Sequence, residues 1–107
     1  MQITTEAECQ TVITTFELTP GTCSDVLEAL QDAYRDFIRH QPGFLSGALH
    51  VNDAQTRIAA YSRWRDRGDF QAMLRSEEMR RRNRAIAQMC SRFEPVLYDV
   101  VEVFGPA

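Results

Sequence analysis

The chain has 107 residues, 44% of them hydrophobic and 25% charged, with a formal net charge of −3. Such values describe a soluble globular chain with one hydrophobic core rather than two, and the acidic balance argues against a general nucleic-acid binder, which carries a basic excess. All 12 basic residues are arginine, which excludes a Schiff-base or P-loop lysine.

Three cysteines, Cys9, Cys23 and Cys90, are an odd number without CxxC spacing, the pattern of a reduced cytoplasmic protein rather than a disulfide scaffold. Met1 to Glu8 has neither the basic start nor the apolar run of a signal peptide. No stretch approaches the roughly 20 apolar residues that span a bilayer. The expectation is a cytoplasmic protein folded as one domain over residues 1–107, with its core between 11 and 104.

In chain order, Thr11 to Leu18 is β-branched and aromatic and reads as a strand, closed by the turn Thr19-Pro20-Gly21. Thr22, three residues before Asp25, resembles a capping box opening a helix. Val26, Leu27, Leu30, Ala33, Tyr34, Phe37 and Ile38 give that helix one apolar stripe, and Gln41-Pro42-Gly43 stops it. Strands are expected at Phe44–Val51 and Arg57–Trp64. Phe70, Met73 and Leu74 suggest a short helix. Ser76 then reads as the N-cap of another, with Met79, Ile86, Met89, Cys90 and Phe93 inward and Pro95 ending it. Val96 to Phe104 is the last strand.

The order β-α-β-β-α-α-β is the split βαβ, or ferredoxin-like, plan of the α+β class, an antiparallel four-stranded sheet with helices on one face. In a strand over 96–104, Leu97, Val101 and Val103 face one way and Tyr98, Val100 and Phe104 the other. A sheet apolar on both sides needs a second cover, and the simplest is a second copy, which predicts a homodimer. Strand alternation is expected to place His50, Ala60, Ser62 and Trp64 on one face, so that an imidazole and the indole share a cavity wall.

The Thr19-Pro20-Gly21 turn, the Pro42-Gly43-Phe44-Leu45-Ser46 strand with His50, and the Ala60-Tyr61-Ser62-Arg63-Trp64 strand resemble the antibiotic biosynthesis monooxygenase family. So do the turn leading to Phe70 and the Ser76-Glu77-Glu78-Met79-Arg80 helix, and the resemblance covers about residues 11–104. It implies a dimeric ferredoxin-like barrel with one pocket per subunit. There an anthrone-type polyketide phenol is oxidised by O₂ to a quinone without flavin, haem or metal, so no cofactor is expected. The family's oxygenating members place an asparagine four residues before a tryptophan and add an arginine from the last long helix. Those positions hold Ala60, Trp64 and Arg80, and alanine at the first cannot donate a hydrogen bond. Haem-degrading relatives need an asparagine and a histidine where this chain has Thr14 and Leu74, which excludes that activity.

Oxidation of an activated CH₂ by O₂ demands a base, donors toward the developing oxyanion, and exclusion of water. His50, with an ordinary pKa near 6.5, suits base or donor; its alternative is a strand histidine bonded to a carbonyl. Trp64 suits stacking on a flat substrate, and its alternative is a core indole with its N–H satisfied. Arg80 suits an enolate or phenolate, although a run such as Arg80-Arg81-Arg82 usually forms a solvated face beside Glu77 and Glu78. Tyr61, Ser62, Phe70, Met73, Leu74, Met89 and Phe93 are the expected substrate-binding lining, with plain core packing as the alternative. Tyr34, Tyr61 and Tyr98 are potential donors, with packing the default explanation for each, Asp36 and His40 are a candidate surface pair, and no metal site stands out. The leading reading is a cofactor-free monooxygenase taking a small aromatic polyketide and O₂. A polyketide cyclase or isomerase and a non-catalytic ligand-binding dimer are the alternatives, with no nucleic-acid or membrane partner in any of them.

Overall fold

A computed structural model describes residues 9–107. Strand β1 (Gln10–Glu17) leads to helix α1 (Pro20–Asp36) and a 3₁₀ turn (Ile38–His40). Strands β2 (Phe44–Val51) and β3 (Arg57–Trp64), helices α2 (Arg67–Arg75) and α3 (Glu77–Ala87), and strand β4 (Arg92–Tyr98) follow. The four strands form one antiparallel sheet in the order β2-β3-β1-β4. This is the expected α+β, ferredoxin-like order.

One face of the sheet carries the core. Phe16, Ile58 and Ala60 pack with Cys23, Val26 and Leu30 of α1 and Ile86 of α3. At the other end Val12 and Trp64 pack with Ala33, Ile38, Phe70, Met73 and Met79. The apolar stripe of α1 therefore lies along the strands, as its 3.6-residue period requires.

Several boundaries differ from the sequence-based expectation, each for a local reason. Helix α1 begins at Pro20, with Thr19 as an N-cap that makes no side-chain capping bond; proline at the first helical position gives up only an N–H that has no helical partner anyway. The helix breaks at Phe37 (φ −134°) before the glycine and continues as a single 3₁₀ turn. Ser76 caps α3 as expected, its Oγ accepting from the Met79 N–H at 3.2 Å. Pro95 does not end that helix. It lies inside β4, opposite Thr14, on an edge strand where a missing N–H is tolerated. Strand β4 thus covers Arg92–Tyr98, and Val100 to Phe104 is no strand: Val101 is 90% and Phe104 81% exposed. Met89 and Cys90 lie in the loop before β4, and Phe93 on it.

The register of β2 against β3 sets which side chains face the helices. Phe44 pairs with Trp64, but an irregularity between Phe44 and Ser46 shifts the ladder, so that Leu49 pairs with Ala60 and His50 with Ala59. Paired residues share a face, and one inserted residue turns every following side chain over. His50 therefore lies on the face away from Trp64, correcting the expectation that the two rings share a wall.

Gly43 precedes β2 with φ +84°, and the Asp69 side chain occupies the space a Cβ would need. Its carbonyl accepts from the Arg65 N–H at 2.7 Å, while the Asp69 carboxylate holds the Arg65 guanidinium at 3.0 Å. Gly43→Ala combines a left-handed backbone with displacement of Asp69 and is expected to cost about 2 kcal/mol. Thermal unfolding should show a drop of several degrees, and an unchanged midpoint would refute this account.

Candidate functional site

Between the sheet and the helices lies a hollow of about 40 Å³, room for little more than water and far below the several hundred Å³ of a drug-sized pocket. Its walls are mostly apolar: Phe16 and Ala60 from the sheet, Leu30 from α1, and Phe70, Met73, Leu74 and Met79 from α2 and α3. Phe93 and Pro95 close it from β4. Four polar side chains reach it: Thr14, Tyr34, Ser62 and Asn83.

Of the expected lining, Ser62, Phe70, Met73, Leu74 and Phe93 meet here. Tyr61 and Met89 do not. Tyr61 alternates onto the outer face of the sheet, paired with Ile13 and Ala48, and its buried hydroxyl has no partner. Met89 packs against the core from the loop after α3 and borders a separate surface cleft with Leu18 and Thr22.

The three residues expected to carry chemistry divide differently. Trp64 is fully buried, its ring edge-on to Phe44 at 5.3 Å and to Phe70 at 5.7 Å. Its Nε1–H donates to Ser62 Oγ at 3.0 Å, so the indole is a satisfied core ring that meets the hollow through Phe70 and Ser62. His50 is exposed on the outer face, its Nδ1 3.4 Å from the Ala59 carbonyl. Arg80 is exposed as well. The neighbouring guanidiniums of Arg81 and Arg82 hydrogen-bond Glu78 at 2.9 and 2.8 Å and hold its carboxyl below the usual carboxylate range. Arg80, Arg81 and Arg84 are exposed, and Asn83, between members of the arginine run, is the polar side chain that α3 turns to the hollow. Periodicity could have found Asn83, since it lies four residues from Met79 and three before Ile86.

Tyr34 is the other residue underweighted from sequence. It lies on the apolar stripe of α1, its ring edge-on to Phe44 at 6.3 Å, and it lines the hollow together with Ser62. Burial pushes the phenol above its ordinary range, outweighing the opposite effect of Ser62, so it is protonated at neutral pH. Tyr34 also borders an open cleft of about 500 Å³ rimmed by Arg35 and Arg39. Thr14, Tyr34, Ser62 and Asn83 are therefore the polar points of an otherwise apolar hollow, which holds donors but no group that is a base near pH 7.

Other chemistry finds no support in the side chains. The three cysteines are free; Cys90 Sγ donates to the Ile86 carbonyl, and burial raises its pKa, the reverse of an activated thiol. Among the described residues no group of three or more His, Cys, Asp or Glu side chains is placed to hold a metal, and no helix is long and apolar enough to cross a membrane. Asp36 and His40 do not pair; His40 Nε2 lies 3.1 Å from the Arg35 carbonyl.

Comparison with known proteins agrees with this architecture. The family model described as "Antibiotic biosynthesis monooxygenase" matches residues 10–85. Tetracenomycin-F1 monooxygenase of Streptomyces glaucescens is 27% identical over 95 residues, spanning 89% of this chain and 84% of the relative. Two solved structures share the fold. SnoaB, a cofactor-independent oxygenase from Streptomyces nogalater, in an asparagine-to-alanine variant, superposes with TM-score 0.80 at 19% identity over 94% of this chain and 100% of that one. The ActVA-Orf6 monooxygenase of Streptomyces coelicolor, in complex with nanaomycin D, gives TM-score 0.76 at 19% identity over 92% of each chain.

Replacing Ser62 by alanine leaves the indole N–H buried without an acceptor, an expected cost of 1–3 kcal/mol. Urea unfolding followed by the fluorescence of Trp64, the one tryptophan, should show the lower midpoint. Stability equal to the parent chain would mean that the indole has another acceptor.

Proposed function

Because this chain belongs to the antibiotic biosynthesis monooxygenase family and is with it an oxidoreductase, we propose that it oxidises an anthrone-like aromatic phenol to a quinone with O₂ and no cofactor. The observation that carries the reading is the hollow, with apolar walls and four polar side chains. A relative named for tetracenomycin F1 and a like-folded monooxygenase solved with nanaomycin D support a substrate of that kind.

The substrate supplies the electrons. Its activated CH₂ gives its proton to solvent water as the substrate enters, before the apolar walls close round it, and donors in the hollow stabilise the enolate oxygen. The carbanion passes one electron to O₂, the two radicals join as a carbon-bound peroxide, and loss of water leaves the new carbonyl, so that one O₂ becomes one quinone oxygen and one water. Apolar walls suit the radical pair because they exclude water that would divert it. The hollow must widen to admit three fused rings, and Met73, Leu74 and Met79 are side chains able to repack.

A homodimer fits the same reading. Outside the core face, Ile13, Ala48 and Tyr61 sit beside Val96 and Tyr98, which are 37% and 48% exposed, and the tail beyond β4 leaves Val101, Val103 and Phe104 uncovered. A second copy is the simplest partner for an apolar sheet face with a projecting apolar tail.

Protein stripped of metal and flavin should consume O₂ with an anthrone and give the quinone, with no product under anaerobic conditions. His50→Ala and Arg80→Ala, both in solvent, are expected to keep the rate within about twofold. A hundredfold loss in either variant, or turnover without O₂, would overturn this reading.

A further inference from the structure

The cleft beside the hollow is much the larger of the two. Lined by α1, the 3₁₀ turn and β2, it holds about 500 Å³ against about 40 Å³, within the range of small-molecule sites. Tyr34 is the one residue that lines both. Phe44 stands edge-on to its ring at 6.3 Å, and Gly47 permits this close approach, since a Cβ there would lie 3.2 Å from each ring. The partition between cleft and hollow is thus aromatic. The rim is cationic: Arg35 and Arg39 line the cleft, and no Asp or Glu does. Arg35 reaches Asp32 at 3.5 Å with both side chains half exposed or more, a weak pair. Arg39 makes no ion pair or hydrogen bond among the described residues. Ser46 Oγ, also of the cleft lining, is hidden from solvent yet bonds no protein group, so it keeps a proton to give.

We propose that this cleft holds the far end of the substrate, and that this end bears an ionised carboxylate recognised by Arg35 and Arg39. The rings lie against Tyr34 and Phe44, and the reacting phenol points past Tyr34 to the hollow. Guanidiniums suit the task because their paired N–H donors match the two carboxylate oxygens. The carboxylate also gives the Ser46 hydroxyl an acceptor that the protein does not supply. Charge is then recognised at the rim, while oxidation proceeds behind neutral walls.

This assignment rests on the reading that the hollow takes a phenolic substrate, and binding tests it without turnover. Anthraquinone-2-carboxylate and the neutral anthraquinone-2-carboxamide are already oxidised and differ in one charge. In calorimetric titrations at low salt the parent protein should bind the carboxylate about tenfold more tightly. The preference should fall to about twofold in 1 M salt, where charges are screened within about 3 Å. Arg35→Gln combined with Arg39→Gln should abolish it while carboxamide affinity and melting temperature stay unchanged, and Arg84→Gln, on the exposed side of α3, should retain it. With a carboxylated anthrone the double variant should raise KM about tenfold at unchanged kcat. A preference equal in parent and double variant overturns the proposal, as does a parent that binds neither compound or both alike. A double variant that changes the sedimentation mass and not the preference assigns the cleft to a subunit contact and overturns it too. If the preference depends on the two arginines while the parent consumes no O₂, the carboxylate site stands and the oxygenase reading falls.

Discussion

The bond from the Trp64 indole to Ser62 Oγ organises the interior of this protein. A tryptophan with no exposed surface must place its N–H somewhere, and the same strand supplies the acceptor two residues earlier on the same face. One local requirement therefore ties the Ser62 hydroxyl, which lines the hollow, to the indole behind it. Apolar packing of Phe44 and Phe70 on the indole holds the arrangement in place.

The cationic side chains take no part in this interior. Arg81 and Arg82 share Glu78, Arg92 pairs with Glu17, and Arg65 with Asp69. These are largely exposed pairs, each contributing little to stability. What they do is keep α3 and the sheet rim in water, so that the inward side of α3 is left to Met79, Asn83 and Ile86. A hollow without internal charge is suited to chemistry in which the substrate carries the electrons and the protein supplies neutral donors.

Much of this was legible from the residues alone. The spans Phe44–Val51 and Arg57–Trp64 follow from β-branched and aromatic content between turn residues, and the element order follows from alternating periods. Ser76 as a cap is equally direct. What failed was parity across the β2–β3 ladder. Counting even residues along both strands presumes an unshifted register, and the irregularity between Phe44 and Ser46 sends His50 to the outer face. No composition rule announces such a bulge. Pro95 misled for a different reason, because proline ends helices and also sits in edge strands. Arg80 holds the position that the family resemblance assigns to an arginine, yet it lies one residue, about 100° of helix, from the inward Met79, and Asn83 takes the inward position. Tyr34 was visible as part of a stripe, but its place at the border of both the hollow and the outer cleft depends on how α1 sits on the sheet, which periodicity cannot reveal.

The small size of the hollow bears on tempo. A ring system enters only after side chains of α2 and α3 give way, so encounter and accommodation are separate events. Association should therefore saturate with ligand concentration and run below the 10⁵–10⁷ M⁻¹s⁻¹ of a preformed binding patch. The methionine-rich wall, more than diffusion, is then what meters traffic into the interior.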